Sequence, residues 1–323
     1  MVGPVVLRSL ASAKVNLALA VTGVRADGYH ELRSVFLRLE LADTLSLTDS
    51  QAPDGPDQLH IEGDADCPLA DNLVLRATMA FRAAAGGSPV PAVTFRLHKR
   101  IPMAAGLAGG STDAASTLCL LAARFPDAAA AVDLRGLAAQ IGSDVPFFVD
   151  GAGAGLVTGV GEAIDPLPPP IEPVGVLLVA PATGASTPRV FRAWDELSGD
   201  VRSSGNARRA VDELAHLLRS GVDPLTLAGH AAQLRAANDL WLPAAAVTPG
   251  LAALRDALER HLERPLLLTG SGSTLFALYP SAQAAIDVGR QLLTETSLPT
   301  TRVIATRSTG PHPQPITSDR RHP

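Results

Sequence analysis

Apolar and polar positions alternate with a period of two over residues 5–10 and 14–22 and again over 34–40 and 44–48, which predicts an antiparallel β start. The period lengthens to a helical one over 71–85, opened by Asp71-Asn72, and returns to a strand at 93–97. Over 111–124 it is helical again, with Ala114, Ala115, Leu118, Leu121 and Ala122 on one face. A helix over 133–141 stops at Gly142, and a Gly/Ala-rich segment fills 151–161. The prolines between 166 and 173 read as a connector. Beyond them come a buried strand at 174–180, a helix near 190–197 started by Thr187-Pro188, and a polar surface loop at 200–209. Helices over 210–219, 223–236 and 249–263 lead to strands at 266–269 and 274–278 around Gly270-Ser271-Gly272. A helix over 281–295 and a strand at 301–306 close the pattern. Residues 308–323 are too polar and proline-rich to pack, which predicts a disordered tail. The class is α+β in two lobes, with domains at 1–165 and 166–307.

Composition narrows this only a little. The chain has 323 residues, 46% hydrophobic and 18% charged, enough for two lobes with a sizeable core. Its net charge of −5, with no long basic run, argues against nucleic acid as a partner. The longest apolar run, near 174–181, is strand-sized, so no membrane span is expected, and the N-terminus shows no signal-peptide pattern. Cys67 and Cys119 lie far apart, with Cys119 on the predicted core helix; a reducing, cytoplasmic setting is the expectation.

The stretch Pro102-Met103-Ala104-Ala105-Gly106-Leu107-Ala108-Gly109-Gly110 is a loop of small residues that runs into the helix at 111–124. Ser111 and Thr112 stand where a helix takes side-chain caps. Such a loop leaves N–H donors pointing outward with the positive end of the helix dipole behind them, which suits an anion and above all a phosphate. No Lys follows Gly110, so this is not a Gly-x4-Gly-Lys-Ser/Thr loop, and a dinucleotide fingerprint does not fit either. A tight loop packed on its own sheet is the plainer reading; Lys99-Arg100 upstream and Ser-Thr-Asp at the exit favour phosphate.

Phosphoryl transfer also needs a group that positions and deprotonates the acceptor, and positive charge near the moving phosphoryl. Asp144, on the bend before Pro146, is the candidate base, and Lys14, in an otherwise apolar strand, is its candidate partner. Against this, Asp144 fits a turn cap and Lys14 a strand edge open to water. Asp113 is a rival acid whose place in a first helical turn suits capping. Tyr29-His30 on a turn fits either a planar ligand or simple packing, and Gly270-Ser271-Gly272 either closes over a ligand or makes a tight hairpin.

The Lys14 strand, the loop over 102–112 and Leu268-Thr269-Gly270-Ser271-Gly272 together resemble the GHMP kinases, from about residue 14 to 306. Ala13-Lys14-Val15-Asn16-Leu17, Arg25-Ala26-Asp27-Gly28-Tyr29-His30-Glu31-Leu32, Asp71-Asn72-Leu73, Gly142-Ser143-Asp144-Val145-Pro146-Phe147 and Asn238-Asp239-Leu240 add to the match. They point to the branch that phosphorylates a methylerythritol 2-hydroxyl on a cytidine-diphosphate-linked substrate, in the non-mevalonate route to isoprenoid precursors. The resemblance implies a mixed α/β N-terminal lobe, a ferredoxin-like C-terminal lobe and a site in the cleft between them. It implies ATP on the loop over 102–112, with Asn72 and Lys99 near the nucleotide, and catalysis by Lys14 and Asp144. It also implies a cytosine site at Tyr29, His30 and Phe191, the last in the run that begins at Thr187, with Asn16 near the acceptor.

Many family members carry Gly where this loop has Ala104, Ala105 and Ala108, which predicts ordinary φ at those positions. The hydroxyls of Ser111 and Thr112 are the candidates for Mg²⁺. Two rivals remain: a homoserine- or mevalonate-type kinase, whose substrates offer no base for Tyr29-His30, and an inactive nucleotide-binding regulator, against which both Lys14 and Asp144 speak.

Overall fold

A computed structural model describes residues 6–63, 69, 71–197, 205–296, 298, 300–311 and 316–318. Cys67 and residues 200–204 of the predicted polar loop lie outside them, and residues 206–209 of that loop are corrected to the start of a helix. The four strands expected at the start fuse into two long ones, β1 (Val6–Val24) and β2 (His30–Asp49), joined by the Asp27-Gly28 turn. They pair antiparallel with register shifts at Ser12/Lys14, Asn16/Ala18 and Val21/Gly23. Such irregularities bend a strand and re-aim its side chains, so one pair of strands does the work of two.

The bend lets β2 serve two partners along one edge. Residues 44–49 pair with β4 (Val93–His98), and residues 32–37 pair with β5 (Ala154–Gly159). β3 (Gln58–Glu62) adds parallel to β4, and β6 (Ala163–Leu167) adds antiparallel to β5. β5 was not legible in the Gly/Ala-rich segment, and β6 takes in Pro166 and Leu167 of the stretch read as a connector. A Cβ on Gly155 would lie 3.3 Å from both Ile164 and Phe147, so small residues here serve close packing. On this sheet lie α1 (Leu73–Ala84), α2 (Gly109–Arg124), the short α3 (Pro126–Ala129), α4 (Leu134–Ile141) and α5 (Val145–Val149). Phe81, Phe95, Leu118, Leu121 and Phe147 meet in the core beneath them.

The second lobe is a four-stranded antiparallel sheet of β7 (Gly175–Pro181), β8 (Leu267–Leu268), β9 (Leu275–Tyr279) and β10 (Thr301–Arg307), in the order β10-β7-β9-β8. That is the fourth-first-third-second order of the ferredoxin-like lobe expected. Its helices are α6 (Thr187–Asp195), α7 (Asn206–Arg219), α8 (Pro224–Gly229), α9 (Ala231–Leu234), α10 (Trp241–Val247), α11 (Leu251–Leu262) and α12 (Ala282–Glu295). The single helix expected over 223–236 is thus two short ones, α8 and α9. The lobes share a core in which Val15, Leu17 and Leu37 meet Val176, Leu178 and Phe276, with Val211, Leu214 and Leu218 of α7. No helix among the described residues is long and apolar enough to cross a membrane.

The expectation of a disordered tail is corrected where the tail is described. Ser308 Oγ accepts the Val174 N–H at 2.9 Å, and Thr309 N–H donates to the Arg38 carbonyl at 3.0 Å. β11 (Ile316–Ser318) then pairs antiparallel with residues 6–8 of β1. Free backbone groups along a sheet edge attract a returning chain whatever its composition, and composition alone does not reveal them.

Candidate active site

One cleft of about 1060 Å³, lined by residues of both lobes, takes in Lys14, Asn16, Tyr29, His30, Asn72, Lys99, residues 102–111, Asp144, Thr187 and Phe191. Thr112 is not among its walls. Thr112 is 2% exposed, so of the two hydroxyl residues it is Ser111 that lines the cleft.

The loop's shape follows from where its carbonyls go. Ala105 O accepts the Thr274 N–H at 3.4 Å, Gly106 O the Thr269 hydroxyl at 3.1 Å, and Leu107 O the Lys14 N–H at 3.2 Å. With three successive carbonyls turned into the protein, the start of α2 is presented to the cleft. That helix begins at Gly109, earlier than expected, and no side chain caps it. Ser111 and Thr112 are therefore inside the first turn, not caps. First-turn N–H groups with the positive dipole end behind them are suited to an anion. The expectation of ordinary φ holds at Ala105 and is corrected at the other two alanines: Ala104 has φ 49° and Ala108 φ 60°. The tethered carbonyls impose the left-handed turn that glycine would adopt without strain.

Lys14 sits at the first register shift of β1, 3% exposed, and is no water-facing edge residue. Its Nζ donates to Asn16 Oδ1 at 2.7 Å, lies 3.4 Å from Asp144 Oδ2, and stands 4.5 Å above the Phe36 ring. Lys14 and Asn16, two apart on a strand, share a face. Asn16 is held in turn: its Nδ2 donates to Ser34 Oγ at 2.9 Å, and its backbone N–H donates to Thr269 Oγ1 at 3.1 Å. Asp144 occupies the cap position of α5 yet makes no capping hydrogen bond with its side chain, so its carboxylate is left to Lys14 and the cleft. Buried Arg38, which sequence reasoning missed, fixes that helix. Its guanidinium donates to Ala152 O at 2.8 Å and Phe147 O at 3.4 Å, and burial pulls its pKa down to about 10.

Lys99 does not reach freely into the cleft. Its Nζ is bound between Asp43 and Asp113, 2.7 Å from Asp113 Oδ2, and Asp43 also accepts the N–H groups of Arg100 and Ile101. Burial acts to lower the amine's pKa, but the charges of Asp113 and Asp43 together hold it above its ordinary value. Burial pushes the Asp113 carboxyl up to about 7 over the opposing pull of Lys99. The triad pins the strand leading into the loop to the helix leaving it. Asp113 thus serves as a strut between them. Asn72 caps α1, its Oδ1 accepting the Val74 N–H at 3.0 Å.

At the far end, His30 stacks on Phe191 with centroids 4.6 Å apart, while Tyr29 is 62% exposed at the cleft rim. Thr187 and Ser271 share a 2.9 Å hydrogen bond, and Gly270, Ser271 and Gly272 line the cleft, so that loop is more than a hairpin. Asn238 holds it by donating to Leu268 O and Gly270 O at 2.9 and 3.0 Å. Asp195, 2.8 Å from His30 Nε2, carried no signal in the sequence. Among the described residues no cluster of three or more His, Cys, Asp or Glu is placed to hold a metal.

Comparison with known proteins agrees with this architecture. The family profile described as GHMP kinases N terminal domain matches residues 72–152, and GHMP kinases C terminal matches residues 216–296. A 4-diphosphocytidyl-2-C-methyl-D-erythritol kinase from a Synechococcus species is 38% identical over 296 residues, covering 87% of this chain and 92% of its own. The protein of that name from Deinococcus radiodurans is 39% identical over 284 residues, 87% of each chain. A crystal structure of 4-(cytidine 5'-diphospho)-2C-methyl-D-erythritol kinase superposes with TM-score 0.69 at 34% identity, over 94% of this chain and 100% of that one. A homoserine kinase from Cytophaga hutchinsonii, at 15% identity and TM-score 0.65 over 97% of each chain, shares the fold.

Proposed function

The chain belongs to the GHMP kinase family, and from that membership we propose how its cleft works. The reaction is ATP-dependent phosphorylation of the 2-hydroxyl of 4-diphosphocytidyl-2-C-methyl-D-erythritol, a step of the methylerythritol phosphate route to isoprenoid precursors. The observation that carries the assignment of roles is the Lys14–Asp144 pair, 3.4 Å apart on the same cleft as the anion loop.

In this proposal the ATP polyphosphate lies against residues 102–111 and the start of α2, and the cytidine end lies towards Tyr29, His30 and Phe191. Asp144 takes the proton of the 2-hydroxyl. The oxygen bonds to the γ-phosphorus as the bond to the β–γ bridging oxygen breaks, and ADP leaves. Lys14 offsets the charge that develops on the hydroxyl oxygen and holds Asp144 in place. Asn16, bonded to Lys14 and Thr269, keeps that amine aimed at the acceptor end.

Mg²⁺ belongs to the proposal as well. Ser111 lines the cleft, and among the described residues no cluster of three or more His, Cys, Asp or Glu is placed to cage an ion, a donor set that suits an ion bound chiefly by phosphate oxygens and water. When bound there, it would neutralise charge on the transferring phosphates. The cytoplasm is the proposed setting and small molecules the proposed partners.

An ADP-release assay with a panel of acceptors tests this reading. Turnover with the cytidine-linked alcohol alone is the expected result. Turnover with homoserine or mevalonate in its place would make the protein a sibling kinase, and none with any acceptor would leave it a nucleotide-binding protein.

A further inference from the structure

His30 is gripped by a single helix face of the opposite lobe. Phe191 stacks on the ring at 4.6 Å with planes 29° apart, Trp194 meets it edge-on at 5.3 Å, and Asp195 Oδ1 lies 2.8 Å from Nε2. The three residues sit at i, i+3 and i+4 of α6, the spacing that puts side chains on one face. Together they set the plane of the imidazole and occupy one of its two nitrogens. Among the described residues, Nδ1 has no hydrogen bond to the protein, and His30 lines the cleft.

We propose that Asp195 is a positioning residue that sets base selectivity by holding the His30 ring with its proton on Nε2, leaving Nδ1 as a hydrogen-bond acceptor. The inference rests on the cytidine-linked reading above. A carboxylate only accepts, so the shared proton must sit on Nε2. A neutral imidazole has one N–H, so Nδ1 then presents a lone pair. Cytosine carries an amine donor where uracil carries a carbonyl. An acceptor in the protein pairs with the first and meets the second lone pair to lone pair. Stacking on Phe191 or Tyr29 does not distinguish the two bases; the tautomer does.

Asp195→Asn keeps the side chain's size but offers Nε2 either a donor or an acceptor, so both tautomers become available. Two measurements at about pH 8 test the idea. The first is the ratio of kcat/KM for the cytidine-linked substrate to that for its uridine-linked analogue. The expected result is a ratio that falls by about tenfold or more in the variant, in line with losing a hydrogen bond to a charged partner. A merely structural role would lower both substrates alike and leave the ratio unchanged, and that outcome overturns the proposal. The second is the ¹⁵N spectrum of the His30 ring in the wild-type protein, assigned by its loss in His30→Gln. A proton on Nε2 is expected; one on Nδ1 overturns the proposal without relying on any variant's folding. Failure of the wild type to use the cytidine-linked substrate would instead sink the functional reading, and the ring spectrum would still decide the tautomer.

Discussion

Thr269 Oγ1 accepts the backbone N–H of Asn16 at 3.1 Å and also lies 3.1 Å from the Gly106 carbonyl, to which it donates. One hydroxyl thereby joins the strand that carries Lys14, the anion loop and the glycine loop of the second lobe. Thr269→Val keeps the shape but strips the Asn16 N–H of its acceptor and leaves the Gly106 carbonyl only the longer 3.4 Å bond from Lys14 Nζ. A drop in kcat/KM of about 10- to 100-fold is expected, with Thr269→Ser within about threefold of the parent. Equal activity in the Val variant, with its melting temperature unchanged, would show that the link is idle.

Asp144→Asn should lower kcat by roughly 10²–10⁴-fold, the range for removing a general base, with little change in substrate affinity. Lys14→Met should also damage kcat. Because the two groups act as a unit, the double variant should lose less than the product of the single losses. Steady-state kinetics on the four proteins decides it, and a fully multiplicative double variant would separate the two roles.

Ala108 holds φ 60° at the start of α2. Glycine relieves that strain, and its greater freedom in the unfolded chain offsets part of the gain. Ala108→Gly should therefore leave the melting temperature unchanged or raise it. Ala115→Gly, inside the same helix, should cost at least about 1 kcal/mol. Comparable losses at both sites would mean that the left-handed turn stores no strain.

The Asp113 carboxyl, pushed up to about 7 by burial, gives stability a definite pH dependence. Between its ordinary value of 3.8 and about 7, the folded protein holds a proton that the unfolded chain has lost. The stability this group contributes therefore falls as pH rises through that window. Asp113→Asn has no such proton. The melting temperature of the wild type, taken relative to the variant, should be higher at about pH 5 than at about pH 8. A difference that does not change with pH would place the proton elsewhere.

Much of the cleft was legible because its parts are local in sequence: a small-residue loop before a helix, Lys14 and Asn16 two apart, an Asp on a bend. What stayed hidden depends on distant partners. Asp195 gains meaning only when α6 docks on His30, and Asp113 only when Lys99 and Asp43 close on it. Ala104 and Ala108 were read by intrinsic preference, and the tethered carbonyls overrode it. The fusion of four expected strands into β1 and β2 follows from register shifts that keep a long strand alternating through its bends. In β5 the alternation was masked by small residues packed too closely for larger ones, and in β6 by a proline within a short strand.

The order of the second sheet also bears on how the polypeptide can be divided. β7 lies between β10 and β9, yet it precedes α7 in the chain while both its neighbours follow. A cut between Leu197 and Asn206 would give one piece holding β1 to β7 and another holding β8 to β11. The first piece would carry a strand flanked on both sides by strands of the second, and the second would carry a strand that pairs with β1. The two pieces interlock. Made as separate polypeptides, they are suited to reassemble into a split enzyme, with the anion loop and Lys14 on one piece and Thr269 on the other, so activity would report their reunion.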